Sequence, residues 1–206
     1  MLQVPVAVVN HSLESESMGV IRLNSYVLIV RGSDRLKFID GLSTNKIEGD
    51  CSTVFTTTTA KVIDMVDVID MGEFLALVGH SPFKNDVLGH MHKRILSQDI
   101  QIGDASENNS VYLSTTDINV TDSVTKRNTW RGWILVAPNS EKINETMDLQ
   151  DFNEYRVMNM IPHLQSTLVD SFIQTFIDRI VKVAHPFLCQ FHTVCFQIFI
   201  DMSTTV

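Results

Sequence analysis

The chain has 206 residues, a formal net charge of -8 at pH 7 and 19% charged residues. That length can hold a sizeable core in one or two domains. The acidic balance, with Lys and Arg scattered rather than clustered, excludes nucleic-acid binding by phosphate neutralisation.

Cys51, Cys189 and Cys195 make no disulfide framework, which is the expectation for a reducing cytoplasm. The first residues carry no basic leader, and no apolar run reaches the roughly 18 residues that a membrane helix needs. The expected setting is therefore cytoplasmic, with no membrane partner.

Residues 19–30 read as a strand or strand pair, with Ile21, Tyr26, Val27, Ile29 and Val30 as β-branched or aromatic members. Gly32 then permits a turn that a β-carbon would resist. Ser33 is the expected helix N-cap and Asp34 the first helical residue, where a carboxylate suits the helix dipole. Leu36 with Ile39, and Phe38 with Leu42, give the short helix an apolar face. Gly41 weakens its end. The run Leu42-Ser43-Thr44-Asn45 is rich in donors and acceptors that can bond the backbone or a ligand.

Two strands are expected over residues 53–59 and 61–69. The second is apolar on both faces, the pattern of a strand buried on both sides. Alternation places Asp64 and Asp67 on opposite faces of it. A carboxylate there is costly unless it meets a donor or a ligand, so at least one of the two should end in a pocket or at a sheet edge. Residues 74–78 complete a hairpin with this strand.

Residues 81–98 carry the clearest helical pattern. Ser81 caps it, Pro82 suits its first turn, and Phe83, Val87, Leu88, Met91 and Ile95 form the stripe. His90 and His92 lie two apart, point to different faces, and read as solvated rather than metal-binding. Further strands are expected over 100–102, 111–115 and 130–137, separated by a long polar loop at 116–128. A helix follows over 149–160 and stops at Pro162.

From residue 165 charges become sparse, so the chain divides into a domain at 1–164 and an atypical apolar tail at 165–206. His185, Cys189, His192 and Cys195 in that tail have metal-ligand chemistry. If the segment is helical, however, they spread along one stripe too long for a single tetrahedral site. Packing is the preferred reading, and no metal is expected.

Three segments carry a resemblance. Arg31-Gly32-Ser33-Asp34-Arg35-Leu36-Lys37-Phe38-Ile39-Asp40-Gly41-Leu42-Ser43-Thr44-Asn45 resembles the N-terminal region of the glycine-cleavage T-protein and YgfZ-type folate-binding family. Thr58-Thr59-Ala60-Lys61-Val62-Ile63-Asp64 resembles the turn and strand that follow there, and Tyr155-Arg156-Val157-Met158-Asn159-Met160-Ile161-Pro162 a later segment. The likeness covers roughly residues 20–173.

Departures accompany the likeness. The family glycine is Ala60. Met65 stands where aminomethyltransferases carry the second, functional aspartate. The YgfZ signature motif and the terminal β-barrel are absent from the sequence.

The resemblance implies an α+β fold, a central, mostly antiparallel sheet with two or three packed helices and no C-terminal barrel. It also implies tetrahydrofolate as cofactor. A pterin edge offers N–H donors for a carboxylate, its faces want aromatic contact, and its glutamate tail wants a cation. The candidate cofactor-binding residues are Asp64 or Asp67 for the pterin edge, Thr44 and Asn45 for polar contacts, Trp130 or Trp133 for a ring face, and Arg131 or Arg156 for the tail. Asp64 is the candidate catalytic group. The plainer reading makes Asp64 a hydrogen-bonded structural residue, Arg156 a surface ion pair and Thr44-Asn45 a turn.

Three functions compete. The first is a non-catalytic tetrahydrofolate-binding protein of the YgfZ type, which the resemblance associates with maintenance of iron–sulfur enzymes. The second is an aminomethyltransferase of glycine cleavage, which the missing aspartate weakens. The third is a truncated interaction module that self-associates through its apolar tail.

Overall fold

The computed structural model describes residues 18–59 and 61–161. The tail at 165–206, its histidines and cysteines, Ala60 and Pro162 lie outside the described residues, as do the expectations that rest on them.

The strands are β1 Val20–Leu23, β2 Ser25–Arg31, β3 Cys51–Thr56, β4 Val62–Asp70, β5 Phe74–His80, β6 Gln101–Asp104, β7 Asn109–Ser114, β8 Thr125–Thr129 and β9 Gly132–Pro138. The helices are α1 Arg35–Asp40, α2 Lys84–His92, preceded by a 3-10 turn at Ser81–Phe83, and α3 Leu149–Met158. Among the described residues the class is α+β, but with two antiparallel sheets rather than one central sheet. A five-stranded sheet runs β3-β4-β5-β2-β6 and a four-stranded sheet β1-β7-β9-β8. Among the described residues no helix is long and apolar enough to cross a membrane.

Alternation along each strand builds the layers. Tyr26, Leu28 and Val30 of β2, Val66 and Val68 of β4, and Leu75 and Leu77 of β5 pack with Phe38 and Ile39 of α1 and Val87 and Met91 of α2. The intervening residues Val27, Ile69, Ala76 and Val78 face the other way, against Ile21, Val111, Leu113 and Ile134 of the four-stranded sheet. One side of the five-stranded sheet is thus covered by helices and the other by a second sheet. The far face of that second sheet buries Tyr112, Leu135 and Ala137 under Val124 and neighbouring loop residues.

The boundary between the sheets falls at Asn24, a single residue between β1 and β2. Nothing in the apolar pattern of residues 19–30 marks where one sheet ends and the other begins, because both strands are β-branched and partly buried.

Three expected elements are corrected. Ser33 does not cap α1. Asp34 occupies that position with no side-chain capping bond, because the N–H and hydroxyl of Ser33 both donate to Asp99 Oδ2 while Asp34 Oδ2 accepts the Asp99 N–H. Gly32, at φ +109°, makes this clasp possible, since a Cβ there would overlap the Asp99 carbonyl. The helix expected over 81–98 stops at His92, with Leu96 left 85% exposed. The polar segment 116–128 contains most of β8, which pairs with β9 through Thr125↔Val136 to Thr129↔Gly132. Polar side chains hide a strand at a sheet edge, where only one face is buried.

Candidate functional site

Two buried carboxylates sit three residues apart on β4. Asp64 is 0% exposed and Asp67 2% exposed. They lie on opposite faces of the sheet, as odd spacing in a strand dictates.

Asp64 belongs to the helix-covered side. The β4–β5 ladder runs from Asp70↔Leu75 to Asp67↔Val78 and then stops. Beyond that point the carboxylate takes over. Asp64 Oδ2 accepts the His80 backbone N–H at 3.0 Å, and Oδ1 accepts the Met65 N–H at 2.8 Å and meets His80 Nδ1 at 2.8 Å. A part-buried backbone N–H at the end of β5 is satisfied by a side chain where the ladder has stopped.

Tyr26 completes the cluster. It pairs across the sheet with Gly79, and a Cβ on Gly79 would overlap both the Tyr26 hydroxyl and Asp64 Oδ2. The glycine is therefore the slot in which the phenol and the carboxylate fit. The hydroxyl is buried against the Asp64 carboxylate. Burial first, and then the negative charge of Asp64, push its pKa well above the usual phenol value.

Asp67 faces the seam between the sheets. Ser52 donates its hydroxyl to Asp67 Oδ1 at 2.5 Å, and the Arg131 guanidinium pairs with Oδ2. Arg131 lies in the turn between β8 and β9, so this ion pair ties the two sheets together. Tyr155 of α3 donates its hydroxyl to the Arg131 carbonyl at 2.8 Å. A more exposed pair, Asp50 with Arg127 at 2.9 Å, repeats the link from the loop before β3 to β8.

The remaining candidates are dispersed. Thr44 and Asn45 are exposed and line the outer edge of β3: the Thr44 N–H donates to the Val54 carbonyl, the Val54 N–H to Thr44 Oγ1, and Asn45 Nδ2 to the Ser52 carbonyl. With the isolated bridge Ser43↔Phe55 they cover a sheet edge. Trp133 is half-buried on β9, with the Lys126 ammonium 5.1 Å from its ring centre, and Trp130 is 50% exposed in the adjoining turn. Arg156 lies on α3 with its guanidinium 5.6 Å from the Phe152 ring, and burial lowers its pKa.

Two surface depressions stand out among the described residues. One of about 310 Å³ is lined by Asp34, Lys37, Phe38, Gly41, Leu42, Arg94 and Gln98. Another of about 280 Å³ lies over Ile29, Arg31 and residues 101–105. Neither touches Asp64, Asp67, Trp133 or Arg156. His90, expected to be solvated, is buried against Arg94, whose guanidinium meets its Nδ1 at 3.0 Å. Among the described residues no three His, Cys, Asp or Glu side chains could hold one metal ion.

Sequence reasoning passed over Tyr26, Gly79 and His80. The usable signal was Gly79-His80 at the end of an otherwise apolar strand, directly before Ser81-Pro82.

No family model matches the chain, and no curated protein does. Among solved structures it is similar to the glycine cleavage system aminomethyltransferase T from Bartonella henselae, at a TM-score of 0.47 and 10% sequence identity, over 59% of this chain and 42% of that one. The chain spans about two fifths of that structure's length, and a likeness of this size speaks to neither ligand nor reaction.

Proposed function

We propose that the chain is a non-catalytic tetrahydrofolate-binding protein. The observation that carries the non-catalytic half is that both acids of β4 are committed to protein partners. Group transfer to a folate nitrogen, as the resemblance implies it, needs a carboxylate at the position of Met65 to orient that nitrogen. Asp64 beside it is sealed by the N–H groups of Met65 and His80 and by the His80 ring. Asp67 is held by Arg131 and Ser52. Neither acid is free to serve the reaction instead.

The folate half is supported by the order of the three resembling segments and by how the first two meet. Ser43 bridges Phe55, and Phe55 pairs with Asp64, so the end of the first segment and the end of the second lie in one row across the sheet. The finer reading is a YgfZ-type role in maintaining iron–sulfur enzymes, and it rests on the sequence resemblance alone.

Titration with tetrahydrofolate, followed by calorimetry, tests this function. Saturable binding, with no aminomethyl transfer in a glycine exchange assay, is the expected result. Absence of saturable binding at millimolar ligand overturns the folate half; measurable transfer overturns the other.

A further inference from the structure

The cluster at the parted ends of β4 and β5 has one polar group that reaches the surface. The Asp64 side chain is 0% exposed and the His80 side chain 20% exposed. Asp64 Oδ1 is occupied by the Met65 N–H and by His80 Nδ1, and Oδ2 by the His80 N–H. The Tyr26 phenol packs against Oδ2 over Gly79. A ligand arriving at this end of the sheet therefore meets the histidine ring, not the carboxylate.

The ring is held in a defined orientation. A carboxylate that accepts from Nδ1 fixes the hydrogen there and leaves Nε2, in the neutral ring, as an acceptor. Nε2 has no hydrogen-bond partner among the described residues, and Nδ1 is turned inward to Asp64. The same carboxylate–imidazole arrangement orients histidines toward metals and substrates in general, because the buried partner sets both tautomer and direction.

We infer that His80 Nε2 is the acceptor that meets an N–H donor of the ligand, and that Asp64 is the positioning residue behind it. The ligand class is a heterocycle with an N–H edge, such as the pterin of a folate. This inference rests on the folate reading above. It differs from the sequence expectation in the atom it assigns, a surface imidazole nitrogen in place of a buried carboxylate oxygen.

Long-range nitrogen–proton NMR of the full chain, with and without tetrahydrofolate, provides the test. In the free protein the His80 ring carries its hydrogen on Nδ1, and addition of tetrahydrofolate moves the Nε2 resonance saturably. His80→Ala weakens binding about tenfold, the scale of one lost hydrogen bond in a partly dry site. Asp64→Asn changes the ring's tautomer and weakens binding to a similar degree. A carboxylate that does not hold the ring would leave that spectroscopic signature unmoved. Because either variant can unfold, the wild-type Nε2 shift stands as an independent measurement.

Saturable binding with an unmoved Nε2 resonance, or with full affinity in a folded His80→Ala, overturns the inference and leaves the folate reading intact. Failure of the wild type to bind overturns both.

Discussion

The two faces of β4 solve one problem in different ways. Each buries a carboxylate that an apolar strand cannot hold alone. On the helix-covered face Asp64 is stabilised by two backbone N–H groups and a nearby imidazole, all on β4 or at the end of β5. At the seam Asp67 is stabilised by a guanidinium delivered from the other sheet. The first arrangement is local and reaches the surface through His80. The second spans the molecule and is closed to solvent. Only the first offers a ligand anything.

The comparison predicts unequal responses to mutation. Arg131→Ala has the largest expected effect, because it strands Asp67 as an uncompensated buried charge at a cost of about 3–5 kcal/mol. The double change Asp67→Leu with Arg131→Met recovers most of that loss, since an apolar pair of similar volume is often neutral in such a position. Urea midpoints of the single and double variants check both statements. A single variant as stable as the wild type breaks the view of the seam as a charge-dependent joint.

Gly79→Ala comes next. Its Cβ overlaps the Tyr26 hydroxyl and Asp64 Oδ2, and overpacking of this kind costs about 1–3 kcal/mol. The expected readout is a lowered melting temperature together with loss of the fixed His80 tautomer.

Asp64→Asn follows at about 1–3 kcal/mol, because the amide keeps one acceptor oxygen and leaves a His80 donor without its partner. Full stability in this variant, with the His80 ring unchanged by NMR, breaks the local half of the comparison.

The smallest effect is expected for Arg127→Gln. Its pair with Asp50 is partly exposed on both sides, at 35% and 44%, and such pairs contribute about 0–1 kcal/mol. A loss comparable to that of Arg131→Ala removes the distinction between buried and exposed ties across the seam.

Several features of the site were written in local sequence. The run Val62-Ile63-Asp64-Met65-Val66-Asp67-Val68-Ile69 reads as a strand buried on both sides, and the odd spacing of its acids assigns them to opposite faces. Gly32 reads as a turn, and its positive φ agrees. Residues 149–160 read as a helix from their apolar spacing; the helix forms over Leu149–Met158, and Asp148 caps it by accepting the Asp151 N–H. These follow from steric and periodic rules that act within a few residues.

The sequence by itself therefore determined that each acid must find a partner, because desolvating a carboxylate is costly wherever the chain takes it. Tertiary structure alone decided which partner. His80 lies 16 positions from Asp64 and Arg131 lies 64 from Asp67. Their meeting depends on where β4 and β5 part and on how the second sheet stacks on the first. Both depend on strand order and sheet membership, which the alternation of apolar residues does not encode. The same limit explains Thr44 and Asn45: their donors and acceptors were legible, but whether they would serve a ligand or the edge of β3 depended on a strand arriving beside them.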